Sequence, residues 1–142
     1  MTQGSRTDSG VPDAILRIGR RYLRASLFYL SLGALVGLAM LAWGNDNFQF
    51  VHTHLMLGGG VLFSLFAFGL LLLPERFGRP GAVHVGWAQA QFFMANVGLA
   101  GMVAGSLMPV GYGLDRVAGL FGAILVFSVV LYAWVIGAVF RD

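Results

Sequence analysis

No cysteine occurs in the 142 residues, so disulfides, cysteine-ligated zinc and iron–sulfur clusters are excluded, and cysteine usage says nothing about redox compartment. Lysine is absent too, and all nine basic residues are arginine. Charge of either sign is scarce, at 11% of residues, against roughly 25% in a soluble domain. The period-two alternation of a half-buried strand is missing. What fills the chain is apolar: 58% hydrophobic residues, with a mean hydropathy of +0.79. These values describe an integral membrane protein of one domain. A net charge of +3 and a pI near 10 would suit nucleic acid, but the arginines cluster beside an apolar run, which makes them topological signals and leaves no nucleic-acid partner.

Residues 1–14 (MTQGSRTDSGVPDA) are polar and aperiodic and read as a flexible tail. Residues 15–24 (ILRIGRRYLR) alternate apolar residues with Arg17, Arg20, Arg21 and Arg24, the pattern of a short amphipathic lead-in at the headgroup level, with anionic lipid as its partner. Four apolar runs follow, at about residues 22–43, 50–73, 82–108 and 116–140. Each reaches the ~20 residues that a helix needs to cross the hydrocarbon, and lipid cannot satisfy loose backbone groups, so helices are the element to expect. The short connections GNDNFQ, PERFGRPG and PVGYGLD imply antiparallel neighbours. The expected fold is an all-α bundle of four transmembrane helices over residues 15–142. The first run is longer than a signal-peptide core and lacks an A-x-A site, so it is read as retained. Four arginines before the first span, and Arg76 and Arg79 between the second and third, place both termini in the cytoplasm. Trp43, Tyr112 and Trp134 suit the aromatic belts. The 21 glycines include the small-xxx-small pairs Gly33/Gly37 and Gly101/Gly105, joined by Ala100/Ala104. Such spacing lets helices approach closely, and predicts a tight bundle and a homo-oligomer.

One stretch stands out, FVHTHLMLGGG at 50–60. His52 and His54 open the second span, and a polar residue inside a membrane is costly enough to suggest a function. An interfacial histidine facing headgroup water is the plainer alternative. Residues i and i+2 lie about 200° apart around a helix axis, so the two rings cannot grip one metal from one helix. They imply two separate sites, or one site shared between subunits. Neutral imidazole suits zinc, copper and haem iron. His84, the remaining histidine, begins the third span, about 28 Å away along the second helix. It cannot complete a ligand set with the pair inside one chain, and reads as an interfacial residue near Arg79 and Trp87. Gln89 and Asn96 share a face of the third span and suit interhelical hydrogen bonding. Met40, Met102 and Met108 read as apolar filler.

HTHLMLGGGVLFSLFAFGLLLLPERFGR, residues 52–79, resembles the tenth helix and exit loop of haem–copper oxidase subunit I, in the style of the high-affinity bacterial oxidases and nitric oxide reductases. In that family an H-x-H pair begins the helix, the first histidine ligating the high-spin haem and the second the low-spin haem. VGWAQAQFFMANVGLAGMVAG, residues 85–105, resembles the eleventh helix, with Gln91 where a histidine often precedes two aromatics. The resemblance covers residues 48–106 by motif, and all four spans by helix order.

The resemblance also sets a limit. The family's reducing centre needs further histidines for copper and for the low-spin haem, and only His84 is left here. Twelve helices in that family form three four-helix arcs, and this chain resembles one arc. Three copies would restore the plan as a homotrimer, with His52 of one subunit and His54 of the next sandwiching a non-covalent haem b. Covalent attachment is excluded by the missing C-x-x-C-H. Arg116 falls where the resemblance puts propionate-binding arginines, and an ion pair with Asp115 is the plainer reading of it. The implied protein is a multi-pass cytochrome b of a bacterial inner membrane that transfers electrons or senses redox state, with a quinol or respiratory-chain partner. Two alternatives stay open. One is a five-coordinate haem that reacts with oxygen or nitric oxide. The other is a cofactor-free partner or assembly subunit of a respiratory oxidase.

Overall fold

The structure, a computed structural model, describes residues 10–44, 46–108 and 115–141. Tyr112 and most of the loop before the last helix therefore lie outside the described residues. Most of the described residues are helical, and none forms a strand. Helix α1 (Asp13–Trp43) is followed by a continuous rod, Asp46–Arg76. That rod consists of a 3₁₀ turn (Asp46–Phe48), α2 (Gln49–Thr53), a π-helical segment (His54–Leu62) and α3 (Phe63–Arg76). Helix α4 (Val85–Ser106) and α5 (Asp115–Gly137) complete the chain, with a last 3₁₀ turn at Ala138–Phe140.

Three helical stretches are long and apolar enough to cross a membrane: Asp13–Trp43, Asp46–Arg76 and Arg116–Phe140, with mean hydropathies of 2.0, 2.2 and 2.5. Helix α4 is 22 residues long but is not among them. Gln89, Gln91 and Asn96 make it more polar than the other three.

Helix α1 starts where Asp13 supplies a negative charge to the first turn. It stops at Gly44, whose φ of 59° lets its N–H return to the Met40 carbonyl. Residues 1–9 of the expected tail lie outside the described residues, and the expected amphipathic lead-in is not a separate element. Val11 and Ile15 are fully buried, and α1 begins at Asp13. Residues 15–24 are the first turns of a single long helix. Ile15, Ile18, Tyr22 and Ser26 form a buried stripe at helical spacing, while Arg17, Arg20, Arg21 and Arg24 face outward. Packing against protein buries that stripe more completely than a headgroup layer would.

Two close-packed hairpins make the bundle. Helix α1 lies against the π segment and α3, and α4 lies against α5. Glycine sets both distances. A Cβ on Gly59 would sit 2.3 Å from Tyr29 Cβ, and one on Gly60 would sit 2.3 Å from Leu30 Cδ2. On the other hairpin a Cβ on Gly98 would stand 2.6 Å from the Leu125 nitrogen, and one on Gly105 would stand 2.9 Å from the Ala118 nitrogen. The Gly33/Gly37 and Gly101/Gly105 pairs thus lie at helix contacts within the chain. Ala100 and Ala104 are exposed and contribute nothing to these hairpins.

At the centre, Tyr22 is fully buried and meets Phe63, Phe66 and Phe92 edge-on, with centroids 5.2, 5.4 and 4.8 Å away. Gly98→Ala should lower unfolding stability in detergent by about 1–3 kcal/mol, because its new methyl meets backbone that cannot swing away. Gly119→Ala, with nothing within 4 Å of the new methyl, should be neutral or slightly stabilising. Thermal unfolding of both variants checks the pair.

Candidate functional site

The histidine pair opens the second rod. His52 is at the end of α2, and His54 starts the π segment. Their side chains diverge, as a two-residue step on a helix requires. The His52 ring turns toward α1, where its Nδ1 lies 2.8 Å from the Gly33 carbonyl. Its Cε1 stands 2.6 Å from where a Cβ on Gly37 would be. Gly37 therefore gives the ring its room. Helix α1 runs on from Gly37 to Trp43, which places this contact about 9 Å in from the helix end. His54 turns outward. Its Nδ1 lies 2.8 Å from the Phe50 carbonyl, one turn back, and its ring lies over Phe50 at a centroid distance of 3.9 Å and a tilt of 30°.

A backbone carbonyl can only accept, so each Nδ1 is the donor in these contacts, and in the neutral ring Nε2 is the nitrogen left with a lone pair. Among the described residues neither Nε2 has a hydrogen-bond partner. Metal-bound histidines are usually held this way, with the far N–H anchored to a carbonyl or carboxylate. Of the two rings, His52 sits inside the contact with α1 and His54 on the outer face.

The other expected site residues are not gathered with the pair. Arg116 is exposed at the start of α5, and α5 packs against α4 and α3. It lies at the same end of the bundle as the histidines by helix order, but among the described residues no contact brings it beside them. The side chain of Asp115, its expected ion-pair partner, lies outside the described residues. His84 is exposed at the opposite end, just before α4, beside a cavity of about 240 Å³ also lined by Trp134 and Arg141. No cluster of three or more histidine, aspartate or glutamate side chains is placed to hold a metal among the described residues.

Protein side chains occupy the face presented by the glycines after the pair. Leu99 abuts Gly58, Tyr29 abuts Gly59 and Leu30 abuts Gly60. These glycines seat α1 and α4 rather than lining a slot.

A polar core appears, of which the sequence reading expected the interhelical bond of Asn96 but not the role of Gln91; Gln89, expected beside Asn96, is exposed. Gln91 is 1% exposed and joins three helices. The Tyr22 hydroxyl donates to Gln91 Oε1, and Gln91 Nε2 donates to the Ser128 carbonyl at 3.3 Å. Nearby, the Tyr29 hydroxyl donates to Asn96 Oδ1 at 3.4 Å, and Tyr132 donates to the Phe66 carbonyl at 3.2 Å. Ser26 and Ser64 both donate to the Gly60 carbonyl, each at 2.9 Å. The available signal was positional. Tyr22, Ser26 and Tyr29 recur at four- and three-residue steps and so place their hydroxyls along one face of α1.

No family model, curated protein or solved structure matches the chain. Fold and geometry together define a helical membrane-type protein with a diverging histidine pair at one end and a satisfied polar core. Tyr22→Phe should cost about 1–3 kcal/mol in unfolding free energy by stranding the Gln91 oxygen. Adding Gln91→Leu should recover part of that loss, and a double-mutant cycle read by denaturant unfolding measures it.

Proposed function

We propose that the protein is a multi-pass membrane cytochrome b, with a non-covalent haem b held by His52 of one copy and His54 of the next. One observation carries this reading. Both rings are anchored through Nδ1 to backbone carbonyls, so that in their neutral form the two Nε2 atoms would be the ligating ones, two residues apart on the rod and aimed apart. Aimed apart, they serve one iron only if two copies of the chain meet, and the trimer suggested by the oxidase resemblance supplies that meeting. A haem with two imidazole ligands has no open coordination position, so its chemistry is one-electron transfer or redox sensing. Arg116 would balance the propionates across the subunit boundary. The arginine distribution supports four spans with cytoplasmic termini in a bacterial inner membrane, α4 crossing with Gln91 and Asn96 turned inward. A quinol or respiratory-chain partner would supply the electrons.

A second reading is favoured by one contrast: His52 is packed against α1, whereas His54 is on the outer face. A haem on His54 alone would be five-coordinate and open to oxygen or nitric oxide.

The dithionite-reduced protein should show a sharp low-spin α-band, and pyridine-haemochrome assay should give at most one haem per chain. His52→Ala and His54→Ala should each lower haem content. Unchanged content in both overturns the assignment. Rapid carbon monoxide binding to the reduced protein would select the five-coordinate reading. Arg116→Ala should loosen the haem or shift its midpoint potential, measured by redox titration, and a wild-type result would remove Arg116 from the site.

A further inference from the structure

The opposite end of the bundle carries a second feature, independent of the histidines. Between the first turns of α1 and α4 lies a cavity of about 230 Å³, lined by Ala14, Arg17, Ile18, Arg21, Val85 and Gln89. Arg17 and Arg21 are one helical turn apart and so present two guanidinium groups side by side. Gln89 adds an amide from the facing helix, and no acidic side chain lines the space. Among the described residues neither arginine has a hydrogen bond or ion pair. Val85 is the first residue of α4, and no side chain caps that helix, so its positive end adds to the same field.

A topological signal needs charge but no shape. All four arginines of α1 supply charge, yet only Arg17 and Arg21 line this cavity, while Arg20 and Arg24 do not. The surface next to the cavity is apolar. Phe28 follows Arg21 by two turns and is 63% exposed; Phe93 and Val97 follow Gln89 at four-residue steps and are 54% and 51% exposed. A ligand with an anionic head and hydrocarbon tails matches that sequence of surfaces.

We propose that this cavity binds the phosphate of an anionic phospholipid in the leaflet at this end of the bundle. The phosphodiester oxygens accept from both guanidinium groups and from the Gln89 amide, and the acyl chains run down past Phe28 and Phe93. Guanidinium forks suit phosphate better than ammonium does, because they present paired donors.

Native mass spectrometry of the full chain, released from detergent holding equal phosphatidylglycerol and phosphatidylcholine, tests this. The wild-type protein should retain phosphatidylglycerol selectively. R17Q/R21Q should lower that retention about thirty-fold, on the scale of two basic contacts to an anionic lipid. R20Q/R24Q removes the same charge from the same helix and should keep the lipid. Equal losses in the two double variants would mean that charge alone is being read, and would overturn the site; full retention in R17Q/R21Q would overturn it as well. Displacement of the lipid by soluble glycerol phosphate would overturn the lipid assignment, and absence of displacement supports it. Matching unfolding temperatures for the two double variants exclude a folding defect as the cause.

Discussion

The hydrogen-bonded bridge through Gln91 is the constraint on which the bundle depends. In a bilayer an unsatisfied amide has no water to turn to. Gln91 meets that demand by accepting from Tyr22 on α1 and donating to the Ser128 carbonyl on α5. The two hairpins could otherwise slide, because apolar packing in lipid is weakly directional. The bridge sets their relative height, and the aromatic ring of Tyr22 then brings Phe63, Phe66 and Phe92 around it. Helix α4 is the most polar of the four because it carries this bridge.

Glycine works alongside that bridge. The amide specifies which helices meet, and the missing side chains specify how closely. Along α1 the same close approach that seats Tyr29 on Gly59 also brings Gly33 and Gly37 against the second rod. His52 occupies the notch so formed. The histidine geometry is therefore a by-product of helix packing: without room at Gly37, the ring could not reach the Gly33 carbonyl.

Much of this was legible in the residues. The long apolar runs and the short loops announce helical rods, and the one-residue gap between His52 and His54 fixes their divergence by rotation alone. The start of α1 was less legible, because the arginines among residues 15–24 resemble a surface helix until Tyr22 finds a buried partner 69 residues away. Gln91 was read as a departure from a family pattern, since a sequence does not say which amide turns inward. The π winding of residues 54–62 also had no local mark beyond three consecutive glycines, which weaken α-helical preference without dictating an alternative.

That winding has a consequence for rotational phase. An α-helix turns about 100° per residue, and a π segment turns less. Nine residues of slower rotation, His54–Leu62, lie between His52 and α3. The rod thus behaves as two helices geared at different ratios: its first part is phased by the α1 notch, and its last part by Tyr132 reaching the Phe66 carbonyl. Losing one glycine between them would rotate one end against the other, so that His52 could face α1 only if α3 turned away from its own contacts with α1 and α5.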